Sequence, residues 1–335
     1  MQQVGQMGEQ RCDDDTAIAQ CIADAMGERP LSLEPQALSH SSNVVYRAHM
    51  ASGRSLAVRI SPEPQTFLHT SSNLAMLHRI GLTVQTVLAQ GTTPSGGDFV
   101  VLDWLPGRDL FYELGSLDER QTERIAEAVM ACHCTVAQQL PPAPHCGFGV
   151  AAIGGRAPFA RWTEFFGEPL PPAFHAAMLA RTDAAPLERL RARLGLARAS
   201  LEDYFGTLRP VCFLHDLTIK NVLVDNGELS GLIDIDTVCY GDSLLVLGTT
   251  LGHIDTLVGE RGRPYAAALL RSWAPQGERR RATGFYAAQW LIGFLSVAIE
   301  QGNAASARFL TSILEQFLSV AEGGRQIQAV AATGY

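Results

Sequence analysis

Three residues between His215 and Asp234 have side chains and spacing suited to one reaction. Asp216 precedes Asn221 by five positions, and a second carboxylate, Asp234, follows a short segment centred on Asn226-Gly227. One carboxylate can orient a substrate hydroxyl. An amide oxygen and another carboxylate can hold a hard cation. Phosphoryl transfer needs this set, because the reaction is driven by positioning and charge neutralisation rather than by strong base catalysis. An ordinary surface hairpin with polar ends would ask nothing of this spacing.

The segment predicts its own geometry. Asn226-Gly227 favours a two-residue type I′ turn. Asp225 then pairs with Glu228, and Asn221 with Leu232. Because side chains alternate along a strand, Asn221, Leu232 and Asp234 are expected on one face at the open end of the hairpin. Asn221 and Asp234 become diagonal neighbours, roughly 7–8 Å apart. A magnesium ion with ligand distances of about 2.0–2.1 Å fits between such groups. Asp236 falls on the same face if the strand continues, as a ligand of a second ion or as a salt-bridge partner. Asp216 lies just before the first strand.

The rest of the chain must position this hairpin. A chain of 335 residues is long enough for one large domain or two lobes. A helix is expected from Thr16 to Met26 with Asp15 as N-cap. Strands follow at Asn43 to Met50 and Ser55 to Ser61, around a turn containing Gly53. A helix near Leu68 to Ile80 comes next, then strands at Val84 to Ala89 and Phe99 to Leu102. Ser116-Leu117-Asp118-Glu119 reads as a capping box opening a long helix that the Pro-rich run Leu140 to Pro144 ends. Further helices are expected at Pro186 to Tyr204, Pro264 to Trp273, Ala282 to Glu300 and Ala304 to Ala321.

Composition narrows the function classes. A hydrophobic share of 47% with 18% charged residues fits an ordinary soluble globular chain. The net charge of −8 argues against nucleic acid as a partner, since duplex binding needs clustered Lys and Arg. Met1 to Asp15 lacks an apolar signal core. The longest apolar runs, such as Leu291 to Ile299, are too short to span a bilayer. A cytoplasmic monomer or homodimer with no membrane partner is expected. Seven Cys residues without a signal sequence do not suggest a disulfide framework. Cys132, Cys134, His145 and Cys146 lack the two-residue gap of a thiolate metal site and read as buried small side chains.

Ordered motifs give the chain a family resemblance. The catalytic segment Leu214-His215-Asp216 leads to Asn221, then to Ile233-Asp234-Ile235-Asp236 and Gly241-Asp242. Upstream lie Asn43-Val44-Val45-Tyr46-Arg47, Leu56-Ala57-Val58-Arg59, Gly81-Leu82-Thr83-Val84 and Leu102-Asp103-Trp104-Leu105-Pro106-Gly107. Cys132-His133, Gly147-Phe148-Gly149 and Pro158-Phe159-Ala160-Arg161-Trp162 follow. In this order they resemble the aminoglycoside phosphotransferase family, and the last two pieces resemble its hygromycin-type members.

The resemblance implies an α+β, protein-kinase-like fold of two lobes. Residues 1–102 would form a small N-lobe with an antiparallel sheet, 103–107 a hinge, and 108–335 a larger, mostly helical C-lobe. It implies a small-molecule O-kinase using Mg2+ with ATP or GTP. Asp216 would orient the substrate hydroxyl, with Asn221, Asp234 and Asp236 on magnesium. Lys220 would sit near the γ-phosphate or remain a solvated surface Lys. Arg59 would grip phosphates, and its position opposite Leu56, Val58 and Ile60 on a strand agrees with that. Ser41, Ser42 and Asn43 would cover the phosphates from a loop without glycine. Backbone groups of Val101, Asp103 and Leu105 would receive the base.

The implied substrate is an antibiotic or related natural product, with resistance or self-protection as the outcome, and the acidic net charge is compatible with a cationic one. An amino acid or amino alcohol is the in-class alternative, and a non-catalytic pseudokinase module the alternative from another class. No acidic residue occurs between Glu63 and Asp98, and Thr70 falls where kinases place a helical Glu partner for the phosphate-binding cation.

Overall fold

A computed structural model describes residues 15–36, 43–167 and 185–324. The chain divides into two compact units. The first is Met1–Pro106 together with Gly231–Asp236, and the second is Gly107–Ser230 with Thr237–Tyr335.

The first described element of the first unit is helix α1, residues 15–26. Asp15 already lies inside it, so it does not act as N-cap. Strands β1 (Pro30–Pro35), β2 (Val44–Met50) and β3 (Ser55–Ser61) precede helix α2 (Thr70–Arg79). Strands β4 (Val87–Thr92) and β5 (Asp98–Asp103) complete an antiparallel sheet of order β1-β2-β3-β5-β4. One sheet face carries Tyr46, Ala48, Met50, Leu56, Val58, Phe99 and Val101, packed with Ile18 and Ile22 of α1. The opposite face of β3 carries Ala57 and Arg59, as strand alternation requires.

Two strand boundaries differ from expectation. β1 is an edge strand that begins and ends in proline and is mostly exposed, so it has no buried alternate face to reveal it. β4 starts at Val87 because Val84 leaves the sheet and bridges Leu232 instead.

The second unit begins with β6 (Arg108–Asp109), helix α3 (Leu110–Glu113) and helix α4 (Glu119–Gln139). The N-cap of α4 is Asp118. It accepts from the Gln121 amide at 2.8 Å, while the Gln121 side chain accepts from the Asp118 amide at 2.9 Å. The capping box therefore starts two residues later than Ser116, whose hydroxyl instead closes the preceding turn on the Glu113 carbonyl. Strand β7 (Gly149–Ala151), a 3-10 turn at Trp162–Phe166, and helices Ala185–Ser200 and Glu202–Thr207 follow.

Next come β8 (Val211–Phe213), β9 (Val222–Asp225), β10 (Glu228–Leu232) and β11 (Val238–Gly241). They form two small sheets of order β10-β9-β6 and β7-β11-β8. The rest is helical: Leu244–His253, a π-helical turn at Ile254–Val258, Arg263–Trp273, Glu278–Glu300 and Ala304–Ala321. Helix Glu278–Glu300 is long and apolar enough to cross a membrane, which run length alone had hidden. In its most apolar window 72% is buried inside the protein, so it serves as a core helix.

That helix helps to fix the Gly-Asp pair. Asp242 accepts from the hydroxyls of Tyr204 at 2.7 Å and Tyr286 at 2.8 Å, and from the Leu244 amide at 3.0 Å. Tyr286 in turn accepts from the Trp162 indole at 2.8 Å. Burial raises the Asp242 carboxyl above its ordinary range, and these donors oppose the shift. Gly241 packs against the Trp162 ring so closely that a Cβ there would strike it.

Candidate active site

The loop between β8 and β9 holds Asp216 by its own hydrogen bonds. The Asp216 carbonyl accepts from the Thr218 amide at 2.8 Å, and the Thr218 carbonyl from the Asn221 amide at 3.0 Å. Leu214, Leu217 and Ile219 are buried, whereas Asp216 is exposed. Apolar residues on both sides thus sink the loop into the core and leave the carboxylate at the surface. The Asn221 side-chain amide donates to the Asp216 carbonyl at 2.7 Å and to its carboxylate at 3.2 Å. These bonds explain the five-residue spacing: the asparagine ties the loop shut and turns its amide oxygen away from Asp216.

Lys220 lies 6.0 Å from the Phe111 ring centre and faces Asp109. Burial raises the Asp109 carboxyl, and Lys220 works against that shift.

The hairpin turn matches its expected type. Asn226 and Gly227 have φ of 51° and 78°, the two positive values a type I′ turn requires. The expected shared face fails beyond the strand. β10 ends at Leu232, and Asp234 sits at φ 55°, in the left-handed region. A non-glycine residue held there has left the pleat, so alternation no longer dictates where Asp234 and Asp236 point.

In the first unit both carboxylates meet Arg59. Its Nη2 lies 2.5 Å from Asp234 Oδ1, and its Nη1 lies 2.5 Å from Asp236 Oδ2. The guanidinium also lies 5.1 Å from the centre of the buried Phe67 ring. Burial raises the Asp236 carboxyl, Arg59 lowers it, and the Asp234 charge raises it again. The Asn73 side chain donates to the Asp236 carbonyl at 2.5 Å, and the buried Thr70 hydroxyl lies beside the Asp236 carboxylate.

Thr70, Asn73, Leu74 and Leu77 form the buried stripe of α2. Sequence reasoning singled out neither Asn73 nor Phe67, and treated Thr70 only as a missing acid. The legible signal was a helical i, i+3, i+4, i+7 stripe whose first two members are polar.

The remaining candidates divide. Ser41 and Ser42 lie outside the described residues, and Asn43 immediately precedes β2. Val101 does not suit the base-binding role. Its side chain is in the core, and β5 is hydrogen-bonded to β3 on one side and β4 on the other. Asp103 is engaged as well. Its amide donates to the Thr86 carbonyl at 3.1 Å, its carbonyl accepts from Gln85 at 3.0 Å, and its carboxylate accepts from the Thr86 amide at 2.5 Å. Leu105 follows the end of the strand and lies outside the ladder. Of the cysteines expected to be buried, Cys146 is, Cys132 is half-buried and Cys134 is exposed.

Each unit offers an oxygen donor of a kind that suits magnesium. Asp234 keeps a side-chain exposure of 44% despite its contact with Arg59, so an oxygen donor remains accessible there. Asn221 offers an amide oxygen. Among the described residues no three His, Cys, Asp or Glu side chains gather to hold an ion. A magnesium ion held by few protein ligands takes the rest from phosphates and water, as is usual for it.

No curated protein matches the chain by sequence. Solved structures share its fold. A thermostable mutant of aminoglycoside phosphotransferase APH(4)-Ia in apo form is 15% identical, with a TM-score of 0.66, covering 91% of this chain and 99% of its own. A further mutant of that enzyme, in ternary complex with AMP-PNP and hygromycin B, is also 15% identical, with a TM-score of 0.63, covering 92% and 100%. A putative fructosamine-3-kinase from Thermobifida fusca is 18% identical, with a TM-score of 0.58, covering 92% and 99%. These similarities establish the kinase-like α+β fold. The family model of the phosphotransferase enzyme family matches residues 35–285, three quarters of the sequence, so the chain belongs to the phosphotransferase enzyme family.

Proposed function

We propose that this small-molecule kinase moves the γ-phosphate of MgATP, or MgGTP, to a hydroxyl of an antibiotic or related natural product, giving resistance or self-protection. The observation that carries the reading is the Asp216–Asn221 pair, locked by two side-chain hydrogen bonds in a loop whose carboxylate stays at the surface. Asp216 orients the acceptor hydroxyl and receives its proton as the oxygen attacks the γ-phosphorus in line, while the bond from that phosphorus to the β–γ bridging oxygen breaks and the nucleoside diphosphate leaves. Asp234 and Asn221 supply oxygen ligands for magnesium, which when bound neutralises charge developing on the phosphates. Arg59 supplies positive charge for the phosphates, and Lys220 a second cation near the transferred group. Leu105 and Asn43 are assigned to the nucleotide.

The complex of an aminoglycoside phosphotransferase with AMP-PNP and hygromycin B supports both the donor and the acceptor class. The fructosamine-3-kinase similarity favours a second acceptor class, a sugar carrying an amine. We assign the activity to the cytoplasm, where ATP is available.

The test is mass-spectrometric detection of phosphorylated product from a panel of hydroxylated antibiotics, sugar amines, amino acids and amino alcohols, with MgATP and MgGTP. Asp216→Asn runs beside the wild type. Product from the wild type alone supports the mechanism and names the acceptor. Equal rates from both remove Asp216 from it. No product and no nucleotide binding favour a non-catalytic binding module.

A further inference from the structure

Arg59 lies on β3 at the place of the phosphate-binding cation of kinases, which is held by a carboxylate on the following helix. Here that helix, α2, presents Thr70 and Asn73 on its buried face and no acid. The guanidinium takes its carboxylates from farther along the chain, and the two are unequal. Asp236 has a side-chain exposure of 15% and Arg59 one of 10%, so this contact is shielded from water. Asp234 is 44% exposed. Asp236 is also pinned from α2, through the Asn73 side chain on its carbonyl. One buried, anchored carboxylate and one open carboxylate therefore share a single cation. The pair on one guanidinium leaves an excess negative charge, and it resides on the side that water and ions reach.

We propose that Asp236 is the positioning residue of Arg59, linking α2 to the guanidinium as a helical acid would, and that it is not a metal ligand. Asp234 alone of the two is left to the cation. The inference rests on the kinase reading and corrects one of its expected ligands. It also explains how a chain with no acidic residue on α2 keeps its phosphate cation in place. The helix acts on Arg59 through Asp236, which α2 holds by Asn73.

The test measures MgATP affinity by calorimetry on the full chain, over a range of Mg2+ concentrations, for wild type, Asp236→Asn, Asp236→Glu, Asn73→Ala, Asp234→Asn and Arg59→Lys. For Asp236→Asn we expect nucleotide affinity at saturating Mg2+ to fall at least tenfold. The Mg2+ concentration giving half-maximal binding should stay within twofold of wild type. Asp236→Glu should recover part of the affinity, and Asn73→Ala should lose some without moving the Mg2+ midpoint. Asp234→Asn should move that midpoint at least tenfold. Asp236→Asn combined with Arg59→Lys should lose less than the product of the single losses, because both act on one contact.

A Mg2+ midpoint shifted by Asp236→Asn as far as by Asp234→Asn would make Asp236 a ligand and overturn the inference, as would fully multiplicative losses. Should Asp236→Asn fail to fold, Asp236→Glu and Asn73→Ala carry the same comparison. A wild type that binds MgATP while all Asp236 variants bind it equally well overturns this inference alone. A wild type that binds no nucleotide overturns the kinase reading and this inference with it.

Discussion

In the proposed mechanism Asp216 is the one carboxylate that orients the acceptor hydroxyl and takes its proton. Asp216→Asn keeps the shape and removes the proton acceptor, so kcat should fall by roughly 10²- to 10⁴-fold with little change in nucleotide KM, read by steady-state kinetics. A second residue of interest makes no chemistry. His133 is buried on α4 with neither ring nitrogen hydrogen-bonded, edge-on to Trp273 at 5.3 Å. Burial pushes it down from 6.5 to about 4. Its folded value lies below its unfolded one, so it contributes stability above pH 6.5 that is lost as pH falls towards 4, when the unfolded chain takes up a proton that the folded one refuses. The loss is about 3 kcal/mol over that window. Denaturant midpoints measured across it should drop for the wild type and drop less for His133→Leu. That variant should be no less stable at pH 7, because it also removes two unsatisfied polar atoms.

Among the elements, α4 and the Gly-Asp pair give separate tests. The Asp118 cap satisfies an amide at the start of α4, and Asp118→Ala should cost about 1 kcal/mol by chemical denaturation. Gly241→Ala is a harsher change. The added methyl meets the buried Trp162 ring, whose indole is fixed by its bond to Tyr286 and so cannot swing aside. Overpacking of this kind costs about 1–3 kcal/mol, and Gly241→Ala should lower the melting temperature where Gly53→Ala, in open space though at φ 84°, costs less. The type I′ turn was legible because Asn-Gly needs no tertiary support to favour two positive φ values. The capping box was misplaced by two residues because Ser116 and Asp118 are both good caps, and only the packing of α4 chooses between them.

For the whole molecule, ligand binding should be visible as stability. At a MgATP concentration 100-fold above Kd the folded state gains about 2.7 kcal/mol. A melting temperature several degrees higher with MgATP than with Mg2+ alone is expected by scanning calorimetry, and Asp234→Asn should reduce the gain. Helix Glu278–Glu300 shows why run length is a poor guide at this scale. Its charged residues sit at its two ends, four in the first turn and Glu300 last, and the apolar stretch between them is long enough for a bilayer yet mostly buried in the core.

Sequence alone determined the order of the candidate site residues, the type I′ turn, the strands around Arg59 and the late helices. Each rests on contacts within a few residues, where backbone preference and periodicity act. It could not determine the partners of Arg59. Asp236 is 177 residues away, and the left-handed turn at Asp234 breaks the alternation that would have been extrapolated to it. Nor could it show that Val101 and Asp103 have their groups committed within the first unit. Such contacts are set by the packing of the whole unit, where a buried guanidinium takes whichever carboxylates the fold brings within reach, and no local pattern encodes that choice.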